Sequence, residues 1–395
     1  MNINVAGVGI TKFGELWDVS PRALARQAAE SALQNAGLSE SDIDIFIVAN
    51  MLSGILGNQE HLGALFCEEL GFSHTPSFKV EGACASGGLA VHTAVNSLLG
   101  RQYKRVMVLG IEKMTDHKPE LVSSALMGAG TNEERLAGVT FPGVYALLAQ
   151  AHMKIYGTTE EQMASVAVKN HYHASLNPNA QFHSLLTIEK VRKSACVADP
   201  LKLLDCSPIS DGAAAVILQK AEDPPSLKLR RASRGRKAEI RIVASQVATD
   251  ALGVAQRRSL TTLKATEIAA IKAYKEAAIS PKDVQVAEVH DCFTIAEILA
   301  MEDLGFCEKG KAAAFISNGK TTLGSAKNLV VNTSGGLKGC GHPVGATGVK
   351  QIVEIVEQLR GRAGKRQVSD ARIGLTHNVG GSGATCVVHI LKRAL

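Results

Sequence analysis

Four side chains of this 395-residue chain stand in settings where they could do chemistry. Cys84 lies in GACASGG, where glycines let backbone approach closely and a helix begins just beyond. Free N–H groups at a helix N-terminus favour a thiolate and can hold an oxyanion, so Cys84 is a candidate nucleophile. The alternative is a small buried thiol packed under a glycine turn. His342 lies in GCGHPVGATG, and a His-Pro pair framed by glycines can present its imidazole to a cavity. Imidazole suits activation of a thiol near neutral pH; the alternative is a capping histidine bonded to nearby carbonyls. His290 and Cys292 share the stretch EVHDCFTIAE, at the end of an apolar run. If they continue a strand, residues two apart face one way, so both look into one cavity while Asp291 and Phe293 turn to the other side. There the histidine can hold a water or donate to an oxyanion, and the thiol can move a proton. A metal pair is the other reading, but no further ligand stands at zinc spacing, so no metal is expected.

The elements that must position these residues come in two similar sets. Ser20 and Pro21 open a helix with Leu24, Ala28, Ala32 and Leu33 on one side, closed by Gly37. A turn and a short strand follow in LSESDIDIFIVANM. Residues 266–293 repeat the pattern, with Ile268, Ile271, Tyr274 and Ala278 marking a helix before ISPKDVQVAEVHDCF. VHDCF thus takes the place that VANML holds earlier. Farther on, KVEGACASGGLAVHTAVNSLLG and NTSGGLKGCGHPVGATGVKQIVEIVEQLRG both read as strand, glycine loop and helix, the second with Ile352, Ile355, Val356 and Leu359 on an apolar face. Each is followed by a strand. The expectation is two similar α/β halves. Residues 1–222 form the first, with an insertion at about 115–200; 223–238 form a basic linker; and 239–395 form the second.

Composition narrows the class. The chain is 46% apolar and 20% charged, as in a globular protein. Its net charge of +6 comes in part from KLRRASRGRK (228–237), which has no interleaved aromatics and reads as a solvated linker rather than a nucleic-acid site. Eight cysteines without a CxxC pair, and no signal or transit segment, point to free thiols in a reducing compartment, taken as the cytoplasm. No apolar run approaches the roughly 20 residues of a membrane span. Of the remaining cysteines, Cys67 reads as core; Cys196, Cys206 and Cys307 lack a neighbouring base or glycine loop; and Cys340 stands out by lying two residues before His342, with simple packing as the alternative.

Together, GACASGG, VHDCF, GHPVGATG and HNVGGSG resemble the thiolase family, in the branch that carries His-Asp-Cys-Phe and includes archaeal-type acetoacetyl-CoA thiolases and sterol-carrier-protein thiolases. TKFGELWD, NPNAQFH and DPLKLLDCSPISDGAAAVIL are also similar to this branch, so the resemblance spans nearly the whole chain. It implies a thiolase fold of two βαβαβαββ halves in five layers, α-β-α-β-α, with a loop domain inserted in the first. It also implies roles. Cys84 would carry the acyl group. His342 would activate that thiol and help bind a thioester oxygen. Cys292 would be the base at the α-carbon, His290 would complete the enolate oxyanion hole through a water, and backbone N–H groups at Cys84 and around Gly380 would form the second hole. The C-terminal Cys-x-Gly of commoner thiolases is absent, and His377 is placed at its cysteine. The implied reaction is reversible condensation of two acetyl-CoA, with no tightly bound cofactor and coenzyme A as substrate or product. Thiolysis of longer 3-ketoacyl-CoA, or a non-catalytic acyl-CoA-binding scaffold, are the other readings. Implied partners are further copies in a homodimer or homotetramer, and a complex with hydroxymethylglutaryl-CoA synthase and a small zinc-ribbon/OB-fold protein in mevalonate synthesis.

Overall fold

The computed structural model describes residues 1, 3–72, 74–100, 102–220, 238–325 and 329–394. The basic run 228–237 lies outside the described residues. In the first half, strands β1 (Ile3–Ile10), β2 (Ile45–Ala49), β3 (Ser77–Val80) and β4 (Arg105–Glu112) are followed by an inserted region. That region contains the small hairpin β5 (Cys196–Ala198) and β6 (Leu201–Lys202), after which β7 (Gly212–Lys220) returns to the sheet. The second half contributes β8 (Ile240–Thr249), β9 (Val286–Glu288), β10 (Val330–Val331), β11 (Ile373–Gly380) and β12 (Thr385–Arg393).

The ten long-range strands run β10-β9-β11-β12-β8-β1-β7-β4-β2-β3. Read outward from the centre, each half has its first, fifth, fourth, second and third strand in the same order. The pairings match as well: first with fifth and fifth with fourth are antiparallel, fourth with second and second with third are parallel. Two residue pairs, Ile3 with Ile242 and Asn4 with Arg241, join the halves. The duplication read in the sequence is thus a duplication of topology.

Two helices form the central layer. Ser86–Leu99 touches β2 and β4 of its own half and β8, β11 and β12 of the other; Val344–Leu359 touches β4 and β7 as well as β9 and β11. Because both sides of this layer are covered, Val344–Leu359 is buried all round except at Glu357. The outer layers are Pro21–Ala36 on β1 and β7 and Lys264–Ala277 on β8 and β12, which gives five layers α-β-α-β-α.

The outer helices show how well local signals were read. Ser20 accepts from the Ala23 N–H at 3.2 Å, and Gly37 closes the helix at a left-handed φ of 71°. In the matching helix the apolar stripe is misphased by the sequence reading. Ile271 is 67% exposed, while Ala269, Ala270, Ala273, Tyr274 and Ala277 face the sheet. Small side chains let this helix lie close to the strands, and Ala278 ends it in a left-handed conformation. The reading of residues 289–293 as a continued strand also fails. Strand β9 stops at Glu288; residues 289–292 are irregular, and Phe293, extended, bridges to Cys206 before the helix Thr294–Asp303. Among the described residues, no helix is long and apolar enough to cross a membrane.

Candidate active site

The two central helices cross where their N-terminal turns meet, and glycine makes this possible. A Cβ on Gly348 would stand 2.2 Å from the Gly88 backbone nitrogen, and one on Gly87 would stand 2.8 Å from the Gly348 nitrogen. Side chains there would push the helices apart. Cys84 lies just before Ser86–Leu99, after Ala83 in a left-handed conformation (φ 54°), and His342 lies just before Val344–Leu359. The crossing therefore brings thiol and imidazole together. Sγ of Cys84 and ring nitrogens of His290 and His342 lie within 4.8 Å of one another, and the two rings meet edge to face at 5.1 Å.

The hydrogen-bond network gives the histidines opposite tautomers. The Thr347 hydroxyl donates to Pro343 O at 3.0 Å, so its lone pair receives Nδ1–H of His342 at 2.8 Å. Nε2 of His342 is then bare, an acceptor for the Cys84 proton. Asn378 fixes His290 the other way. Its Oδ1 accepts from Gly88 N–H at 3.0 Å, which orients the amide; Nδ2 donates to Cys84 O at 2.9 Å and to His290 Nδ1 at 3.3 Å. The remaining proton of His290 sits on Nε2, which is buried and has no partner among the described residues. That is a donor waiting for an oxyanion. The same proton argues against a metal among Cys84, His290 and His342, since coordination through His290 Nε2 would cost the bond from Asn378.

Further groups hold the loops. The Glu112 carboxylate, at the end of β4, accepts from Asn50 Nδ2 (2.7 Å) and from the N–H groups of Met51 (3.1 Å), Leu52 (3.1 Å) and Gly345 (3.0 Å). It ties the His-Pro loop to the first half. Ser210 accepts from His342 N–H at 2.9 Å and donates to Gln181 at 2.5 Å, while the Gln181 N–H reaches Cys340 O at 2.9 Å. The motifs NPNAQFH and SPISDG thus converge on the His342 turn.

A cavity of about 680 Å³ opens onto this centre. Cys84, His342, Cys292, Tyr145, Phe293 and Gly381 line it, with an apolar wall that includes Met114, Phe141, Phe182 and Ile209. Its size suits a small-molecule site. Burial pushes the Cys84 thiol up to about 12, against a lowering pull from the Gly381 N–H, with nearby Glu112 raising it further. Burial likewise holds Cys292 well above the ordinary thiol range and drops His342 to about 3. His290 is driven well down by burial and then by His342. The resting centre is therefore uncharged: two thiols and two neutral imidazoles. Burial thus works against a Cys84–His342 ion pair before attack.

Cys84, His290 and His342 meet, and Cys292 faces the same cavity. Asp291 does turn away, accepting from Leu337 N–H at 2.7 Å and Asn170 at 2.6 Å. Phe293 does not; it lines the cavity because the alternation of β9 stops at Glu288. Gly380 pairs with Thr385 in the sheet, and the amide directed at the Cys84 sulfur belongs to Gly381. His377 was misplaced by one residue. Its Nε2 meets Thr266 Oγ1 on the outer helix at 2.9 Å, while Asn378, on the opposite face of β11, reaches the centre. Cys206, which has no base or glycine loop beside it in the sequence, also lines the cavity, and Cys340 packs in a buried cluster. Asn378, Glu112 and Tyr145 were not singled out. No alternation along THNVG marks Asn378, because both faces of β11 are buried; nothing local marks Tyr145, which comes from the inserted region.

Comparison with known proteins agrees with this arrangement. The family described as Thiolase, N-terminal domain matches residues 3–222, and the Thiolase C-terminal domain-like family matches 246–393. The acetyl-CoA acetyltransferase of Methanothermobacter thermautotrophicus is 47% identical over 99% of this chain and 100% of its own. That of Methanocaldococcus jannaschii is 43% identical over 99% of each. Among solved structures, the Ltp2-ChsH2(DUF35) aldolase shares the fold with a TM-score of 0.82 at 24% identity, covering 99% of this chain and 98% of that one. Family models that span both halves, and relatives 43–47% identical over nearly the whole chain, place it among the thiolases, acyltransferases that use coenzyme A thioesters.

Proposed function

We propose that this protein is an acetyl-CoA acetyltransferase that joins two acetyl-CoA into acetoacetyl-CoA, reversibly, through an acyl group on Cys84. The observation that carries this reading is the meeting of Cys84, His342 and His290 within 4.8 Å, with Cys292 facing the same cavity. Cys84 attacks the thioester carbonyl while His342 Nε2 takes its proton. The departing coenzyme A thiolate takes a proton from Cys292. The Cys292 thiolate then removes a proton from the α-carbon of the second acetyl-CoA, and the enolate oxygen is held by the Nε2–H of His290, through a water, and by His342, now protonated. The enolate carbon attacks the acyl carbon, with its oxygen held by N–H groups at Cys84 and Gly381. Cys84 leaves and recovers its proton from His342, so every proton is accounted for.

Two relatives named for this activity, each matched over 99% of this chain, support the acetyl reading. The wider setting is proposed on the same likeness: a cytoplasmic homo-oligomer at the start of mevalonate synthesis, in complex with hydroxymethylglutaryl-CoA synthase and a small zinc-ribbon/OB-fold protein. The Ltp2-ChsH2(DUF35) aldolase is named for two components on a shared fold, which supports the presence of a partner. A second reading, cleavage of longer 3-ketoacyl-CoA, is favoured by the volume and apolar wall of the cavity. The test is thiolysis of acetoacetyl-CoA and of a longer 3-ketoacyl-CoA by purified protein with coenzyme A, followed by loss of enolate absorbance. Preference for acetoacetyl-CoA is expected; preference for the longer substrate overturns the acetyl reading.

A further inference from the structure

Tyr145 is 1% exposed on the helix Phe141–Tyr156, in the region inserted between β4 and β7. That helix is well fixed: the Thr140 hydroxyl caps its start, Pro142 stands in its first turn, and Gly157 closes it. The Tyr145 ring packs on Phe293 with centroids 4.6 Å apart, and its hydroxyl donates to Gly381 O at 3.2 Å. The Cys292 thiol lines the same cavity as Tyr145, and Phe293, on which the ring packs, is the residue next to it in the chain. A bond of 3.2 Å to a neutral carbonyl is long for an O–H donor, whereas a thiolate is a charged acceptor and forms the stronger bond.

We propose that Tyr145 is the hydroxyl donor to the Cys292 thiolate, turning from the Gly381 carbonyl to the sulfur when Cys292 gives up its proton. The proposal rests on the reading of Cys292 as the base at the α-carbon. A buried thiolate needs donors, and this hydroxyl and the Phe293 N–H each favour charge on Cys292. The other ionisable groups near the sulfur, Cys84 and Asp291, oppose its charge. Burial holds the Tyr145 proton in place, well above the ordinary phenol range, so the ring donates rather than ionises. Arg257 is the cation near the hydroxyl. Its guanidinium is engaged by Ser382 O at 2.5 Å and Ser382 Oγ at 2.8 Å, on the loop that carries Gly381. One segment therefore serves both sulfurs: the Gly381 N–H faces Cys84, and its carbonyl parks the hydroxyl that serves Cys292. No proton moves to or from Tyr145; it only redirects its hydrogen bond.

Tyr145→Phe keeps the ring on Phe293 and removes the donor. Three quantities separate a donor from a packing residue: kcat and KM for acetyl-CoA condensation, the pH profile of kcat, and the rate at which iodoacetamide alkylates Cys84, read by peptide mass. Loss of one hydrogen bond to a charged group predicts a fall in kcat of about 10- to 100-fold. KM should change little, and the Cys292 limb should move to higher pH by about one unit or more. Cys84 alkylation should match the parent, because the hydroxyl does not serve that sulfur. A parent-like kcat with an unmoved limb overturns the proposal. So does an equal loss in condensation and Cys84 alkylation, which would mean that Tyr145 only shapes the Gly381 loop. If Tyr145→Phe folds poorly, 3-fluorotyrosine placed at position 145, a stronger donor of nearly the same shape, should move the limb to lower pH; no movement overturns the proposal. The parent rate tests the acetyl reading, and the variant-to-parent ratio, measured with whichever thioester turns over, tests this one.

Discussion

The two halves have the same strand order and pairing, yet they deliver unlike chemistry to the cavity. In the first, β3 passes through a five-residue turn into Ser86–Leu99 and places a thiol at the crossing. In the second, β10 is followed by a longer loop with the short helix Gly336–Cys340, and it places an imidazole at the matching point. The loops after β2 and β9 differ more sharply. Ala49 and Met51 stand where the second half has His290 and Cys292. One half therefore supplies the acyl carrier and the other supplies the proton handling and an oxyanion donor. Duplication gave two helix N-termini at one point, and divergence of short loops gave them different work. Folding and catalysis are separable here because the frame is set by buried apolar pairing and close glycines, while the chemistry hangs on loop residues.

The sharpest way to break this division is to remove one thiol at a time. Cys84→Ala removes the covalent carrier, and kcat should fall by about 10⁴-fold or more, with no acyl-enzyme in intact-mass spectra. Cys292→Ala should lower condensation by about 10²- to 10⁴-fold while acetyl-CoA still acylates Cys84 in a single turnover. If Cys292→Ala condensed acetyl-CoA at the parent rate, its assignment as base would be wrong. If neither variant acylated, the two halves would not be working as separate stations.

Asn378 is where the halves are coupled, since its one amide meets Gly88, Cys84 and His290. Asn378→Ala frees the His290 tautomer and leaves buried groups unpaired. A smaller loss in kcat is expected, about 10- to 100-fold, with Cys84 acylation reduced less than condensation. Equal reduction in both steps would assign Asn378 to the shape of the Cys84 turn alone.

Much of this was legible beforehand, and the reasons for the rest are physical. Repeated turns and glycine loops revealed the two halves because local backbone demands are written in local residues. Cys84 and His342 stood out because glycines frame them. The resemblance puts His377 at the cysteine position; a strand turns each successive residue to the opposite face, and with both faces of β11 buried the sequence does not say which one reaches the cavity. Ile271 was placed in the core by its hydrophobicity, but a helix lying close on a sheet prefers the alanine side. Tyr145 arrives from an inserted region far along the chain, and no period links it to Cys292.

The glycine crossing is what makes one cavity out of two halves. Gly348→Ala puts a Cβ against the Gly88 backbone, which cannot yield as a flexible side chain would. Overpacking of this kind predicts a loss of about 1–3 kcal/mol, read from urea unfolding. Activity should fall with it, because relief requires the thiol and the imidazole to separate. Unchanged stability together with parent activity would show that the helices tolerate a wider crossing.

The smallest effects concern the outer helices, which the halves finish differently. Pro21–Ala36 has a Ser20 cap and a left-handed Gly37, whereas Lys264–Ala277 follows Leu263, without a side-chain cap, and ends on Ala278 at φ 51°. Ser20→Ala should cost about 1 kcal/mol. Ala278→Gly should do the opposite. It relieves the left-handed penalty of about 1–2 kcal/mol, offset in part by the greater chain entropy of glycine, for a net gain below about 1 kcal/mol. Neither residue lines the cavity, so kcat should not move. If urea midpoints shift in these opposite directions at constant kcat, the ends of the two helices are tuned independently of the cavity. A change in kcat from either would mean that the outer layers transmit to the centre, and the separation of frame from chemistry would have to be given up.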